Sequence, residues 1–208
     1  MRVTREQAAE NRDRVLDAAG LLFCQQGFDA VGVAEVMKAA GLTHGGFYGQ
    51  FASKDDLAVE VCARVAERSA ARWEHLKNLN GDEPLAAIVA SYLSTRHRNE
   101  AGSGCLMSTL AGDVARKGGA VRATFTTGVR RLLGVMTSVM PGRAERARRE
   151  AALATMAGLV GAVVLSRAVD DAALSEEILA AARKAFGAAA EPPIEDAGSI
   201  DGPRDVAA

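Results

Sequence analysis

The chain has 208 residues, which is enough for one or two compact domains with a hydrophobic core. Apolar residues make up 49% of it and charged residues 25%, and 25 Lys and Arg nearly balance 26 Asp and Glu, a composition that excludes a disordered chain. Nine residues are aromatic and five are proline, whereas 42 are alanine. Because strands favour aromatic and β-branched residues, this composition argues against an all-β protein and indicates an all-α fold.

The helices are predicted from apolar residues at helical spacing between capping residues. Thr4 and Ser53 are predicted N-caps, and Gly27 and Gly41 are predicted to end helices. The predicted helices, about nine in all, cover residues 4–27, 32–41, 43–51, 53–76, 84–93, 105–116, 121–139, 143–168 and 175–187. Residues 96–104 are expected to form a polar connection, and the acidic tail 191–208 is expected to be disordered.

Cysteine spacing and hydropathy indicate a cytoplasmic protein. Cys24, Cys62 and Cys105 are far apart and lack the Cys and His spacing of a zinc site, so reduced thiols and no metal are expected. The N-terminus lacks the apolar core of a signal peptide. The longest apolar stretch, residues 151–165, is shorter than the roughly 20 residues that span a membrane, so we expect a buried helix and no membrane partner.

Residues 33–51 carry the most informative pattern. Two short helices joined at Gly41 have too few apolar residues to bury themselves and must pack on the first helix. In a helix-turn-helix the second such helix enters the DNA major groove. One alternative is ordinary helix packing without DNA, since similar turns occur in many helical proteins. The other is that the glycine-rich segment is a weak loop.

The residue types of the second helix favour DNA. Thr43 offers a hydroxyl and free backbone N–H groups to a phosphate. Gly45, Gly46 and Gly49 each cost roughly 1 kcal/mol relative to alanine in a helix, and they let the backbone approach the groove closely.

Side chains and charge add to this reading. His44, Tyr48 and Gln50 can hydrogen-bond to phosphates or bases. Residues 1–56 hold six basic and eight acidic residues, which is not a basic domain, yet residues 36–54 contain two lysines and no acid. Further phosphate or minor-groove contacts are predicted for Arg2, Arg5, Arg12 and Arg14.

Residues 9–69, above all AAGLLFCQQGFDAVGVAEVMKAAGLTHGGFYGQFASKDDL, resemble the DNA-binding domain of the TetR family of bacterial transcriptional regulators. Gly32, His44 and Gly49 depart from the residues common in that family. The resemblance implies that Thr43, Tyr48 and Lys54 bind phosphate. It also implies that four residues lie near bases, namely His44, Gly46, Gly49 and Gln50. The complete predicted DNA-binding set is Thr43, His44, Gly45, Gly46, Tyr48, Gly49, Gln50 and Lys54.

The resemblance also implies a helical C-terminal domain that binds a small molecule and dimerises through its last two helices. Independently, small residues from 144 to 161 recur every three or four positions, which permits close packing of another helix, within the chain or across a dimer. The same helix is apolar on two sides and is expected to be buried on both. The predicted dimer interface is Ala147, Ala151, Ala154, Gly158, Gly161, Ile178, Ala182 and Phe186.

Candidate ligand-contacting residues are aromatic residues and methionines of the C-terminal domain. They are Trp73, Tyr92, Met107, Phe125, Met136 and Met156, and residues of this kind are more often ordinary core than ligand contacts. Cys105, at a predicted helix N-terminus, is expected to have a lowered pKa and is a possible redox sensor.

The sequence therefore predicts an all-α, three-helix DNA-binding domain at residues 1–56, with the helix-turn-helix at 32–51, and a helical effector-binding and dimerisation domain at 57–190. The predicted function is a homodimeric repressor, without cofactor, that a small-molecule effector releases from a palindromic double-stranded DNA operator. No catalytic motif is recognisable, so an enzyme is not expected. The alternatives are a small helical enzyme that uses the C-terminal cavity, or a DNA-binding activator.

Overall fold

The structure is a computed structural model that describes residues 4–187; the predicted acidic tail and Arg2 lie outside this range. Within it the fold is all-α, as predicted, with no strand. Two short 3₁₀ turns cover His44–Gly46 and Ala101–Ser103. The nine α-helices of the described range are α1 (Arg5–Gln26), α2 (Val33–Ala39), α3 (Lys54–Leu79), α4 (Pro84–Tyr92), α5 (Thr95–Asn99), α6 (Leu106–Lys117), α7 (Gly119–Val139), α8 (Glu145–Ala168) and α9 (Ala172–Phe186).

The caps predicted in the first third of the chain are confirmed. Thr4 Oγ1 accepts the Gln7 N–H at 3.1 Å, and Ser53 Oγ accepts the Asp56 N–H at 3.0 Å. Gly27 has φ +85° and Gly41 has φ +68°, conformations that side-chain-bearing residues rarely adopt. These local signals place α1, α2 and the start of α3 correctly because each depends on neighbouring residues alone.

Two helix predictions after residue 57 are wrong. The expected polar connection at residues 96–104 contains α5 and the second 3₁₀ turn. α9 begins three residues before the expected cap Ser175, because Asp171 Oδ1 accepts the N–H groups of Ala173 (2.8 Å) and Leu174 (3.1 Å). Ser175 is buried inside α9, where its hydroxyl donates to the Ser166 carbonyl at 2.6 Å.

The molecule has two hydrophobic cores arranged along α3. The first joins α1, α2 and the start of α3 with Leu106, Leu110 and Val114 of α6 and Val121 of α7. The second fills the space between the end of α3, α4 and α6–α9, and Phe125 packs against both. The DNA-binding helices therefore rest directly on α6 and α7, and α3 runs from one core into the other.

One face of α8 is exposed in the single chain, so burial of this helix on two sides stays a prediction. The buried face includes Ala152, Met156 and Leu159, whereas Leu153 and Leu165 are about half exposed. By length and composition alone α8 could cross a membrane, but a third of its most apolar window is buried inside the protein. Within the chain, α7 and α9 cover only one side of α8.

Candidate DNA interface and ligand site

The turn of the helix-turn-helix is closed by backbone hydrogen bonds after α2. The Leu42 N–H donates to the Met37 carbonyl at 2.8 Å, and the Gly41 N–H donates to the Lys38 carbonyl at 3.0 Å. The guanidinium of Arg14 covers Gly41 so closely that a Cβ there would lie 2.6 Å from Arg14 Nη2. The positive φ of Gly41 therefore favours glycine, and a larger residue would also have to displace the exposed Arg14 side chain.

Residues 43–51, called the recognition segment below, follow this turn. The prediction of a regular α-helix here is wrong. The backbone makes a 3₁₀ turn at His44–Gly46 and then separate turns, with the Phe47 N–H donating to the His44 carbonyl at 3.1 Å and the Phe51 N–H donating to the Phe47 carbonyl at 3.0 Å. Three glycines within five residues explain this, because each weakens an α-helix by about 1 kcal/mol relative to alanine.

Two aromatic side chains anchor the recognition segment. Phe47 and Phe51 are buried in the first core, and their rings stack at 5.5 Å between centroids. Tyr48 meets the edge of Phe47 at 5.2 Å, yet 68% of it is exposed. The predicted DNA-contacting residues that lie on the exposed surface are Thr43, His44, Gly45, Gly46, Tyr48 and Gly49.

Gln50 and Lys54 differ from this exposed group. Gln50 is half-buried, and its Oε1 is buried without a hydrogen-bond partner. Lys54 is half-buried at the first residue of α3, where the helix dipole disfavours a cation. The neighbouring Asp55 carboxylate is engaged by Lys117 of α6 at 2.9 Å, and that hydrogen bond raises the pKa of Lys117.

The predicted phosphate-contacting arginines separate in the structure. Arg12 forms an ion pair with Glu60 at 2.6 Å and lies 4.3 Å over the Phe51 ring, so it supports the recognition segment from behind. Arg14 is exposed beside Gly41, at the turn itself, and Arg5 is exposed in the first turn of α1. In the free protein Arg12 is therefore engaged by Glu60 and Phe51, and its contact with phosphate stays a prediction.

Asp113 of α6 is a contact between domains that sequence reasoning missed. Its Oδ2 accepts the Phe28 N–H at 3.0 Å, at the turn between α1 and α2. A Cβ at Gly27 would clash with Asp113 Oδ2, so a larger residue there would have to displace this carboxylate. An isolated acid on an apolar helix gives no motif, so only the fold reveals that α6 holds the DNA-binding helices at this turn.

The six candidate ligand-contacting residues converge from five helices. Five are buried in the second core, and Phe125 is partly buried at its junction with the first. The Trp73 and Tyr92 rings meet edge-on at 5.9 Å. Tyr92 is 4% exposed, and its hydroxyl lies near the Ser108 and Cys105 side chains without a well-formed hydrogen bond to either. A buried, unpaired hydroxyl is costly unless a ligand or water occupies its vicinity.

His97 lies against Tyr92 and was also missed. Its ring is 4.5 Å from the Tyr92 ring, its Nδ1 lies 2.6 Å from the Tyr92 carbonyl, and its Nε2 accepts the Cys105 N–H at 3.1 Å. These partners place the proton on Nδ1. Burial lowers the pKa of His97 to about 4, and the charges of Arg167 and Arg72 act in the same direction.

The prediction of a lowered pKa at Cys105 is wrong. Cys105 lies at the N-cap of α6, but it is 6% exposed, and burial raises the pKa of its thiol because the desolvation cost exceeds the favourable hydrogen bonds. Cys24 and Cys62 are also free and buried, and burial raises the pKa of Cys62 to about 12. A redox role of Cys105 stays a hypothesis that the thiol's environment does not favour.

The predicted dimer interface divides into two groups. Ala147, Ala151 and Ala154 are exposed on α8, and Gly161 has open space beside it. The other members, Gly158, Ile178, Ala182 and Phe186, are half-buried where α8 and α9 meet. Gly158 touches the ring of Phe186 within the same chain, so close packing at this glycine serves the α8–α9 contact.

α1, α2 and the recognition segment are called the head below. A helix-turn-helix followed by an exposed segment, joined through α3 to a second helical core, is typical of two-domain DNA-binding regulators. Residues 15–61 match the model of the family described as "Bacterial regulatory proteins, tetR family". Over these residues the chain is similar to the DNA-binding domain of TetR-family regulators.

Curated relatives match mainly over this head. Identity is 43% over 60 residues to the HTH-type transcriptional regulator AcrR of Shigella flexneri, covering 29% of this chain and 28% of that protein. It is 30% over 100 residues to the HTH-type transcriptional repressor ComR of Escherichia coli, covering 47% and 48%. The chain thus matches less than half the length of these relatives.

Solved structures show that the fold extends over both domains. The reduced form of NemR from E. coli has a TM-score of 0.71 at 22% identity, covering 88% of this chain and 99% of that one. FadR of Bacillus subtilis, in complex with stearoyl-CoA, has a TM-score of 0.57 at 17% identity, covering 82% and 96%. At such identities the likeness is one of fold.

Proposed function

We propose that this protein is a ligand-responsive transcriptional repressor that binds a palindromic DNA operator as a homodimer in the cytoplasm. The observation that carries the proposal is the recognition segment, which is exposed, contains no acid, and is anchored from behind by Phe47 and Phe51. The repressor name of ComR supports the direction of regulation.

The contacts with DNA divide by chemistry. Thr43, Tyr48 and Lys54 bind phosphates: the Thr43 side chain makes no cap hydrogen bond, and a phosphate compensates the cation at the start of α3. His44 and the exposed glycines face base edges. Gln50 reads a base only after its side chain rotates, because its Oε1 is buried in the free protein.

A second copy of the chain covers the exposed apolar face of α8 and α9. Leu153, Val164 and Leu165 of α8 and Leu174 of α9 are each between 42% and 57% exposed. A face of this kind on a helix pair is typical of a subunit interface. Sedimentation should give the mass of a dimer, and Leu165→Glu should shift the protein towards monomer.

The effector binds in the second core beside Tyr92, whose unpaired hydroxyl offers a hydrogen bond to a ligand. FadR, with the same fold, is described in complex with an acyl-CoA, which supports a ligand-binding role for the C-terminal domain. The ligand releases DNA by binding preferentially to a conformation in which the two heads no longer fit successive major grooves.

The C-terminal core favours binding over catalysis. Both ring nitrogens of His97 are occupied by backbone groups, and burial raises the pKa of the Cys105 thiol. Neither residue is suited to act as a base or nucleophile.

The test measures binding of the purified protein to the DNA upstream of its own gene, at several salt concentrations. Tyr48→Ala and Lys54→Ala should each weaken binding to all sequences and lower the salt slope by about one, because each variant leaves one phosphate without its protein partner. The matched control is Lys184→Ala, a residue exposed on α9, which should leave the affinity and the salt slope unchanged. Salt slopes equal to that of the unaltered protein in both head variants would reject the phosphate assignment.

A further inference from the structure

Residues 95–104, which comprise α5 and the second 3₁₀ turn, lie between the two domains and are called the brace below. On one side the brace packs against α1. Gly102 is buried there, and a Cβ at this position would lie 2.9 Å from Gln25 Nε2 and 3.1 Å from Leu21 Cγ. The brace therefore touches the DNA-binding head at the C-terminal end of α1.

On the other side the brace is held by Arg167 of α8. Its Nε donates to the Arg98 carbonyl at 2.9 Å, its Nη2 to the His97 carbonyl at 2.5 Å, and its Nη1 to the Ser108 carbonyl at 3.3 Å. In the described part of the chain no carboxylate pairs with this guanidinium. Burial lowers the pKa of Arg167, a cost that these carbonyl contacts offset.

Gly104 closes the arrangement. A Cβ there would lie 2.9 Å from the Ala101 carbonyl and 3.3 Å from Arg167 Nη2. α5 has only five residues, which is too short to be stable as an isolated helix. Its position therefore depends on Arg167 and His97 and on the packing of Gly102 against α1. The Arg98 side chain adds a contact with α9, where it donates to Ser175 Oγ at 3.1 Å and pairs with Glu176 at 3.4 Å.

We propose that the brace sets the orientation of the DNA-binding head relative to α8, and that Arg167 is the positioning residue that fixes the brace. This rests on the proposed function, because the orientation matters when two heads of a dimer must meet two half-sites. Side chains that face the first core anchor the head at α6, and the brace supplies a second, separate contact that limits its rotation.

The brace also lies next to the proposed effector site. The His97 ring contacts the Tyr92 ring, and the His97 carbonyl is one of the groups that Arg167 holds. A ligand that moves Tyr92 therefore acts on the brace through one residue. Effector binding can therefore change the orientation of the heads through the brace, without a movement of α3.

The test compares operators with different spacing. The operator is first located by footprinting with the unaltered protein, and a second fragment is made with two base pairs inserted at its centre. The unaltered protein should bind the natural spacing more tightly. Gly102→Val, which separates the brace from α1, and Arg167→Met, which releases the carbonyls, should reduce this preference at least about fivefold.

A merely structural defect would lower binding to both fragments equally and leave their ratio unchanged. The controls are Arg130→Met and Gly134→Ala, both exposed on α7, for which we expect the unaltered ratio. Hydrogen exchange, measured without DNA, should become faster in residues 95–104 and along α1 in both brace variants. Where Gly102→Val does not fold, Gly102→Ala replaces it.

The outcomes separate the two proposals. If the unaltered protein retards no DNA, the proposed function fails, and the exchange measurement alone decides whether the brace holds α1. If DNA binding is normal but both brace variants keep the spacing preference, the positioning role of Arg167 is overturned while the proposed function stands.

Discussion

The recognition segment and the helical core of the C-terminal domain use the same residue types, glycine and histidine, in opposite environments. In the core, Gly128 of α7 faces Ala66 of α3, and a Cβ at Gly128 would lie 2.6 Å from the Ala66 Cβ. In the recognition segment, Gly45 has no neighbouring side chain within contact distance. The fold requires the first glycine and does not require the second.

The difference shows how to distinguish structural from functional glycines. A glycine that no neighbour or backbone angle requires lowers helix stability by about 1 kcal/mol without compensation inside the protein. The recognition segment contains three such positions, which is consistent with a surface shaped for DNA. His97 and His44 differ in the same way, because His97 is buried with both nitrogens bonded and His44 is exposed.

The largest effect is expected at the α3–α7 contact. Gly128→Ala should lower the free energy of unfolding by about 2 kcal/mol, because the added methyl meets a Cβ fixed to the α3 backbone and the helices must separate. Gly134→Ala, on the same helix with open space around it, should instead stabilise the protein by up to about 1 kcal/mol. Urea denaturation measures both; equal effects would mean that Gly128 is not tightly packed.

A smaller effect is expected from pH. Since the pKa of His97 is about 4 in the folded protein and near 6.5 when unfolded, the unfolded state binds the proton first as the pH falls. The free energy of unfolding should therefore be highest above pH 6.5 and should decrease at lower pH. The expected decrease between pH 7.5 and 5.5 is about 1.4 kcal/mol.

Histidine variants test this assignment. His97→Asn should remove most of that pH dependence, whereas His44→Gln, in the recognition segment, should retain it. If both variants keep the full pH dependence of unfolding, the buried histidine is not its source.

The smallest effects on stability are expected at two glycines of the recognition segment, whose variants should differ in DNA binding. Gly45→Ala and Gly46→Ala should each stabilise the free protein by up to about 1 kcal/mol. A Cβ at Gly46 would face Met37 Cε at 3.6 Å, an ordinary contact, whereas a Cβ at Gly45 would face open space. If the groove approaches the backbone at Gly45, its alanine variant should bind operator more weakly and Gly46→Ala should not. Equal operator affinities would contradict close approach at Gly45.

The head could be predicted from the sequence because its signals are local. Thr4, Ser53, Gly27 and Gly41 act on their own helix ends, so each could be recognised without the fold. The exception is the recognition segment. Its glycines make the α-helical and 3₁₀ conformations similar in free energy, so a residue pattern does not decide between them.

The C-terminal domain was harder to predict because its decisive contacts join distant residues. α5 has no apolar periodicity and is held by Arg167, which lies 69 residues after Arg98 in the chain. Gly158 has a partner in Phe186, and Cys105 is buried beside Tyr92 of α4 and Ser69 of α3. Residue spacing reveals that a helix has a small-residue face, but not which helix will cover it.

The contact between Asp113 and the Phe28 amide bears on the exchange of heads between related proteins. The head takes an acceptor for one of its backbone groups from α6, and part of its core from Leu106, Leu110 and Val114. In a chimera that receives only residues 1–56 from a relative, the foreign head would pack on an α6 whose surface evolved for a different head. Chimeras that carry α6 together with the head should retain solubility and cooperativity of unfolding, because both sides of that contact come from one parent.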